Sequence, residues 1–227
     1  MENPWTAIAH DSEDSSSAKE RWIHRLDRPF IADKTVASHL LPEPFIGNPA
    51  APIYLLALNP GYHTDNDQEH QRPEFRKILL QNLLHYVHDW PFYYLNPQFS
   101  STRGGKWWRE KFTNLMDEVD DDQTVSRSFF CMQLFPYHSE DGKPVVPVPS
   151  ILYTRHLLLQ AISTRKTVVF LRSKKLWFWL VPELLSYTET FTITNPRNPV
   201  ISKNGFKENG AYQRLLSILT KGDGSHQ

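Results

Sequence analysis

Four short apolar runs, separated by stretches of helical spacing, constrain the fold of this chain more than any other feature. The first, Ile53-Tyr54-Leu55-Leu56-Ala57-Leu58, is unbroken and ends at Asn59-Pro60-Gly61. The second covers Ser128 to Phe135, the third Thr167 to Leu171, and the fourth Thr190 to Thr194, closed by Asn195-Pro196. An apolar run without alternation is how a strand buried on both faces reads. Between the first two runs, Phe75, Ile78, Leu79, Leu83, Tyr86, Val87 and Trp90 recur at helical spacing and predict a helix over 74–90. Further helices are expected at 106–118, 150–163 and 174–186, and around Tyr212, Leu215, Leu216 and Leu219. Strands alternating with helices predict an α/β fold: a central, mainly parallel four-stranded sheet covered on both faces, a three-layer α/β/α sandwich.

The rest of the chain sets the boundaries. Residues 1–20, rich in Ser, Asp, Glu and Lys, are expected to form a flexible lead-in, 21–221 a single domain, and 222–227 a flexible tail. Trp22, Ile23, Leu26 and Phe30 suggest a short entering helix, the proline-punctuated stretch 41–49 an extended or turning segment, and the acidic stretch 117–122 a solvated loop. A single cysteine, Cys131, excludes an internal disulfide and any four-cysteine metal site. No apolar run approaches the roughly 20 residues of a membrane span, and no signal-peptide pattern opens the sequence, so a monomer in a reducing cytoplasm is expected. Lysine plus arginine number 25, as do aspartate plus glutamate, so the molecule as a whole has no electrostatic bias toward nucleic acid.

In an open parallel sheet, ligands bind outside the carboxyl ends of the strands. The loops after the first, second and fourth runs begin at Asn59, Phe135 and Asn195, and should converge on one site. In Leu58-Asn59-Pro60-Gly61-Tyr62, the proline biases Asn59 to an extended shape and the glycine lets a ligand approach the backbone. An amide held this way can orient a water molecule but cannot deprotonate it; the same tripeptide also reads as a plain turn. His138 reads either as a proton donor facing the pocket or as a turn histidine on the surface. Tyr62, Phe92, Tyr93 and Tyr94 are the aromatics available for stacking, and no more than one is expected to stack. His63, Asp65, Asp67 and His70 are metal-ligand types, but no helical or strand spacing holds them together, so a solvated loop is expected there. Arg103-Gly104-Gly105-Lys106 has the composition to hold a phosphate at a helix start, without a Walker or dinucleotide pattern.

Leu58-Asn59-Pro60-Gly61 resembles the Ile-Asn-Pro-Gly first motif of the mismatch-specific (thymine/uracil) branch of the uracil-DNA glycosylase superfamily. Asn195-Pro196-Arg197-Asn198-Pro199 and Ser202 are loosely similar to that branch's late Asn-Pro-Ser-Gly-Leu-Ser motif. Pro196-Arg197-Asn198-Pro199 followed by Lys203, Gly205 and Phe206 is also similar to a motif of the single-strand-selective branch. The likeness follows the order of elements over residues 42–220. It implies a uracil-DNA glycosylase-like fold and a monofunctional glycosylase that flips a uracil-type or modified base from single- or double-stranded DNA and hydrolyses its N-glycosidic bond.

On that resemblance Asn59 positions the water, while Asn195 or His138 stabilises charge on the departing base. Leu58, Pro60, Gly61, Tyr62, Phe92 and Gln133 contact the base, and Arg197, Asn198 and Lys203 the DNA. For Gln133 a second reading is a core amide bonded to backbone, and for Arg197 an exposed loop cation. No metal or cofactor is implied. The best-known branch carries Asp in the first motif and His in the late one, where this chain has Asn59 and Asn195 or Ile193. Catalysis would then rest on positioning and hydrogen-bond donors. The alternative is a binding module of the same fold without chemistry.

Overall fold

The computed structural model describes residues 1–9, 22–31, 36–140 and 147–221. Five strands, β1 (Phe45–Gly47), β2 (Ile53–Leu56), β3 (Phe129–Met132), β4 (Thr167–Phe170) and β5 (Thr190–Thr192), form one sheet in the order β1-β3-β2-β4-β5. The helices are α1 (Asp65–Glu69), α2 (Pro73–Leu83), α3 (Arg103–Val119), α4 (Asp122–Ser128), α5 (Ile151–Ser163), α6 (Lys174–Leu180) and α7 (Ala211–Lys221). The chain is therefore α/β with a mostly parallel sheet. Ile53 of β2 pairs with Phe129 on one side and Thr167 on the other, both in parallel, and every residue of β2, β3 and β4 is buried. The unbroken apolar runs follow from that double-sided burial.

The four expected strands are present, and β1 is an addition. It lies antiparallel to β3, with Phe45 opposite Met132. Proline is tolerated just before an edge strand, where no donor is lost from the ladder; here the Pro44 carbonyl still accepts from Gln133 N at 2.9 Å. The outer edge of β1 is closed by a side chain. Asn82 of α2 donates from Nδ2 to the Phe45 carbonyl at 2.7 Å and accepts from Gly47 N at 3.1 Å. One buried amide thus meets both polar needs of an edge strand's backbone.

Gly47 has φ +108°, and a Cβ there would lie 2.5 Å from the Phe129 carbonyl oxygen. Gly47→Ala is expected to cost about 2 kcal/mol through backbone strain and the clash with β3. The denaturation midpoint in urea measures it, and an unchanged midpoint would refute the role given to this close approach.

Three expected boundaries are corrected. The 74–90 helix ends at Leu83, because His85 adopts a left-handed φ of 57° while Tyr86 N bonds back to the Gln81 carbonyl at 3.0 Å. This C-terminal cap leaves Tyr86 and Val87 exposed instead of on the apolar face. The acidic stretch 117–122 is mostly helical: α3 runs to Val119, Asp120 is left-handed, and Asp121 caps α4 by accepting from Gln123 N at 2.9 Å. In place of the entering helix there is a 3-10 turn at Arg28–Phe30, with Leu26 and Phe30 exposed.

Within the expected lead-in, Trp5, Ile8 and Ala9 are buried, and the Trp5 ring meets His24 and Tyr137 edge-on. The packed body therefore starts before residue 21. Residues 10–20 and the expected tail, 222–227, lie outside the described residues. No helix among the described residues is long and apolar enough to cross a membrane.

Strand order places the candidate site. From β2 the chain passes to β3 on one side, then over to β4 and β5 on the other. A parallel sheet whose connections reverse direction in this way is expected to bind ligands at the carboxyl end of the strand where they reverse, here β2.

Candidate functional site

The loops after β2 and β3 run side by side beyond the sheet. Ala57 N donates to the Met132 carbonyl at 2.9 Å, Phe135 N to the Leu58 carbonyl at 2.8 Å, and Tyr62 N to the Ser139 carbonyl at 2.9 Å. Gly61 and Ser139 form an isolated parallel bridge. Asn59, half-buried, donates from Nδ2 to Ser139 Oγ at 2.8 Å and to the Pro60 carbonyl at 3.0 Å; neither bond uses Oδ1. Its amide is thereby oriented, as positioning a water requires. Gly61 is exposed, and a Cβ placed on it would meet nothing within 4 Å. Tyr62 is half-buried and donates to Asp67 Oδ2 at 3.0 Å.

Gln133 follows directly on β3 and is buried, and its Oε1 has no hydrogen-bond partner. A buried amide oxygen left unpaired costs roughly 1–3 kcal/mol, so Oε1 of Gln133 stands out as a polar atom the fold itself does not satisfy.

At the far side, Asn195 Oδ1 accepts from Arg197 N at 3.1 Å and Asn198 N at 3.4 Å. This side chain folds its own loop, which is why Asn-Pro follows β5. Asn198 is exposed, and its Oδ1 accepts from the buried Lys111 Nζ at 2.6 Å, a bond that does not use Nδ2, the atom a phosphate would need. Arg197 and Lys203 are exposed. Arg172 and Ser173, just past β4, join Pro196 and Arg197 in lining an open cleft of about 390 Å³. The Arg172 guanidinium lies 5.9 Å from the Trp107 ring centroid and donates to the Arg197 carbonyl at 3.4 Å. Two guanidiniums at one cleft suit an anionic ligand.

Three expected roles change. Phe92 is fully buried against Trp108 and Phe112, at centroid distances of 4.9 and 5.4 Å, so it is core and cannot stack on an entering base. Tyr93 and Tyr94 are also buried, which leaves half-buried Tyr62 as the accessible aromatic of the four. His138 is neither a surface histidine nor open to the crevice: it is 2% exposed, with Nδ1 3.1 Å from the Gly61 carbonyl and Nε2 3.0 Å from Glu43 Oε1.

The glycine-rich start of α3 is likewise not a phosphate cradle. The Glu69 carboxylate already accepts from Arg103 N at 2.7 Å, and Thr102 Oγ1 accepts from Gly105 N at 3.0 Å. Gly104 and Gly105 are small because the Tyr94 ring and the Phe99 carbonyl press on them.

Sequence reading missed a buried polar centre beneath the Asn59 loop. Glu43, 2% exposed, accepts from the Tyr93 hydroxyl at 2.6 Å and from the Tyr94 hydroxyl at 3.0 Å. His70 is buried too, with Nε2 3.9 Å from Glu43 Oε1, and its ring stands at 84° to that of His138. His138 Nε2 lies at ion-pair distance from Glu43 Oε1 but without hydrogen-bond alignment. Burial alone would raise the Glu43 pKa; His138 and the Tyr93 hydroxyl outweigh it and hold the carboxyl below its ordinary value. Burial, reinforced by His138, pushes His70 down to about 3, so His70 is neutral near neutral pH and lends Glu43 no charge. The available signal was Glu43 itself, one charge between two prolines in an otherwise apolar stretch, Leu40 to Ile46.

The fold and this site together define an α/β protein with a polar cleft at the carboxyl ends of a mostly parallel sheet. Compared with protein-family models, with curated proteins and with solved structures, the chain matches none.

Proposed function

We propose that the protein is a monofunctional DNA glycosylase with a three-layer uracil-DNA glycosylase-like architecture. In this reading it accepts a flipped uracil-type or modified base at the carboxyl ends of β2 and β3. The observation that carries the reading is the unpartnered Oε1 of buried Gln133, set beside the Asn59 loop by the Phe135–Leu58 hydrogen bond. A pyrimidine imide presents one N–H donor between two carbonyls, and a side-chain amide offers the matching acceptor and donor. Asn59 Oδ1 orients the attacking water, while Asn195 Nδ2 and the Arg172 and Arg197 guanidiniums face charge developing on the leaving base or the phosphates. Tyr62 is the stacking aromatic. DNA is the partner, the enzyme acts as a monomer in the cytoplasm, and neither metal nor cofactor takes part in this chemistry.

His138 is turned toward Glu43 and Gly61 and does not serve the Asn59 loop as a base. That observation favours a second reading, a base-binding module without turnover, and the same experiment separates the two. Duplexes and single strands carrying uracil, mismatched thymine, hypoxanthine or hypermodified pyrimidines are incubated with protein and nicked by alkali. The glycosylase reading expects cleavage that falls about 100-fold in Asn59→Ala with binding retained, and base-selective binding lost in Gln133→Leu. Selective binding without cleavage gives the module. Neither cleavage nor Gln133-dependent binding on any substrate would overturn both.

A further inference from the structure

We infer that Glu43, His70 and His138 form a buried site for a divalent transition metal, zinc by its donor set, that clamps the Asn59 loop from beneath. One ligand atom from each residue lies within 4.8 Å of the others, and all three side chains are buried. Tetrahedral zinc with bonds near 2.0–2.1 Å separates its ligand atoms by about 3.3 Å. The observed separations from Glu43 Oε1, 3.0 Å to His138 Nε2 and 3.9 Å to His70 Nε2, bracket that spacing.

The hydrogen bonding points the same way. In the tautomer that donates Nδ1–H to the Gly61 carbonyl, His138 presents its Nε2 lone pair to the centre of the cluster. Neither ring nitrogen of His70 has a hydrogen-bond partner, nor does His138 Nε2. A cation between the two rings and the carboxylate would give the unpartnered imidazole nitrogens a partner. Outer contacts of the kind that orient metal ligands are also in place: the Gly61 carbonyl behind His138, and the Tyr93 and Tyr94 hydroxyls on Glu43.

The three ligands come from the segment before β1, the end of α1 and the loop after β3. An ion there would therefore staple distant segments and, through Gly61, hold the loop that carries Asn59. All three side chains are buried, and the ion takes no part in the proposed glycosylase chemistry.

The test uses the full chain, dialysed against a chelator and titrated with Zn²⁺ or Co²⁺. One equivalent should bind per chain, Co²⁺ should give the visible d–d absorption of a four-coordinate site with water as its fourth ligand, and Zn²⁺ should raise the melting temperature. His70→Ala should abolish all three, and His63→Ala, which alters a half-buried histidine of the same region, should leave them intact. Should His70→Ala fail to fold, the wild-type Co²⁺ spectrum and stoichiometry decide alone. No stoichiometric binding of either ion by the wild type, or binding unchanged in a folded His70→Ala, would overturn the site.

Discussion

Asp27→Ala is expected to destabilise the protein by about 4 kcal/mol, and Asp27→Asn by about half of that. Asp27 is completely buried, yet its carboxylate is fully used. Oδ2 accepts from the Tyr137 hydroxyl at 2.6 Å and the Ser150 hydroxyl at 2.6 Å, and Oδ1 accepts from Ser150 N at 2.9 Å. Ser150 precedes α5, so the negative charge also sits at that helix's N-terminus. Alanine would leave three donors in the interior without an acceptor. Asparagine keeps an acceptor and loses the charge. Urea denaturation at neutral pH measures both variants; a loss under about 1 kcal/mol for Asp27→Ala would show that water or relaxation replaces the carboxylate. The effect should reach the candidate site as well. Tyr137 precedes His138 and Ser139, and its hydroxyl also accepts from His24 N at 3.0 Å. Loosening Asp27 therefore frees the segment against which Asn59 is held.

The parts of this fold that sequence pattern revealed are those where one local rule acts alone. The runs beginning at Ile53, Ser128 and Thr167 read as buried strands because the strands they contain have both faces covered, and their order with the helices implied a parallel sheet. β1 was hidden because its three residues depend on remote partners: the β3 ladder on one side and Asn82 on the other. The end of α2 was hidden for a different reason. Tyr86 and Val87 continue the apolar spacing, but the left-handed turn at His85 overrides it.

For the site, the pairing of the Asn59 loop with the Gln133–Ser139 loop followed from the strand order alone. The inward turn of His138 did not, because it requires Glu43, which lies 95 positions earlier by their numbers and contacts it only in the folded state. His70 was grouped with His63, Asp65 and Asp67 by sequence proximity. Its burial separates it from them and joins it to Glu43. Chemistry assembled from distant segments leaves no spacing to read.

A second large effect is expected in the acid limb of stability. The His85 ring stacks on Phe45 at 4.2 Å, its Nε2 lies 3.0 Å from the Tyr153 hydroxyl, and its Nδ1 is buried without a partner. Burial lowers its pKa from 6.5 to about 4. The folded state thus resists protonation, whereas the unfolded chain takes up the proton below about pH 6.5. The contribution of neutral His85 is full above pH 6.5 and drains away as the pH falls toward 4, because the unfolded state then binds more protons. At 1.36 kcal/mol per unit, the loss should reach about 3 kcal/mol by pH 4, and closer to 2 after allowance for the ring's partial exposure. His85→Phe keeps an aromatic against Phe45 and removes the titration. Its stability should consequently fall less steeply than wild type between pH 6.5 and 4. The difference between the two slopes isolates His85 from the carboxylates and from the other buried histidines, which titrate in both proteins. Parallel slopes in denaturant melts across this range would mean that the His85 proton has a path to water, and that the stack on Phe45 does not hold the ring neutral.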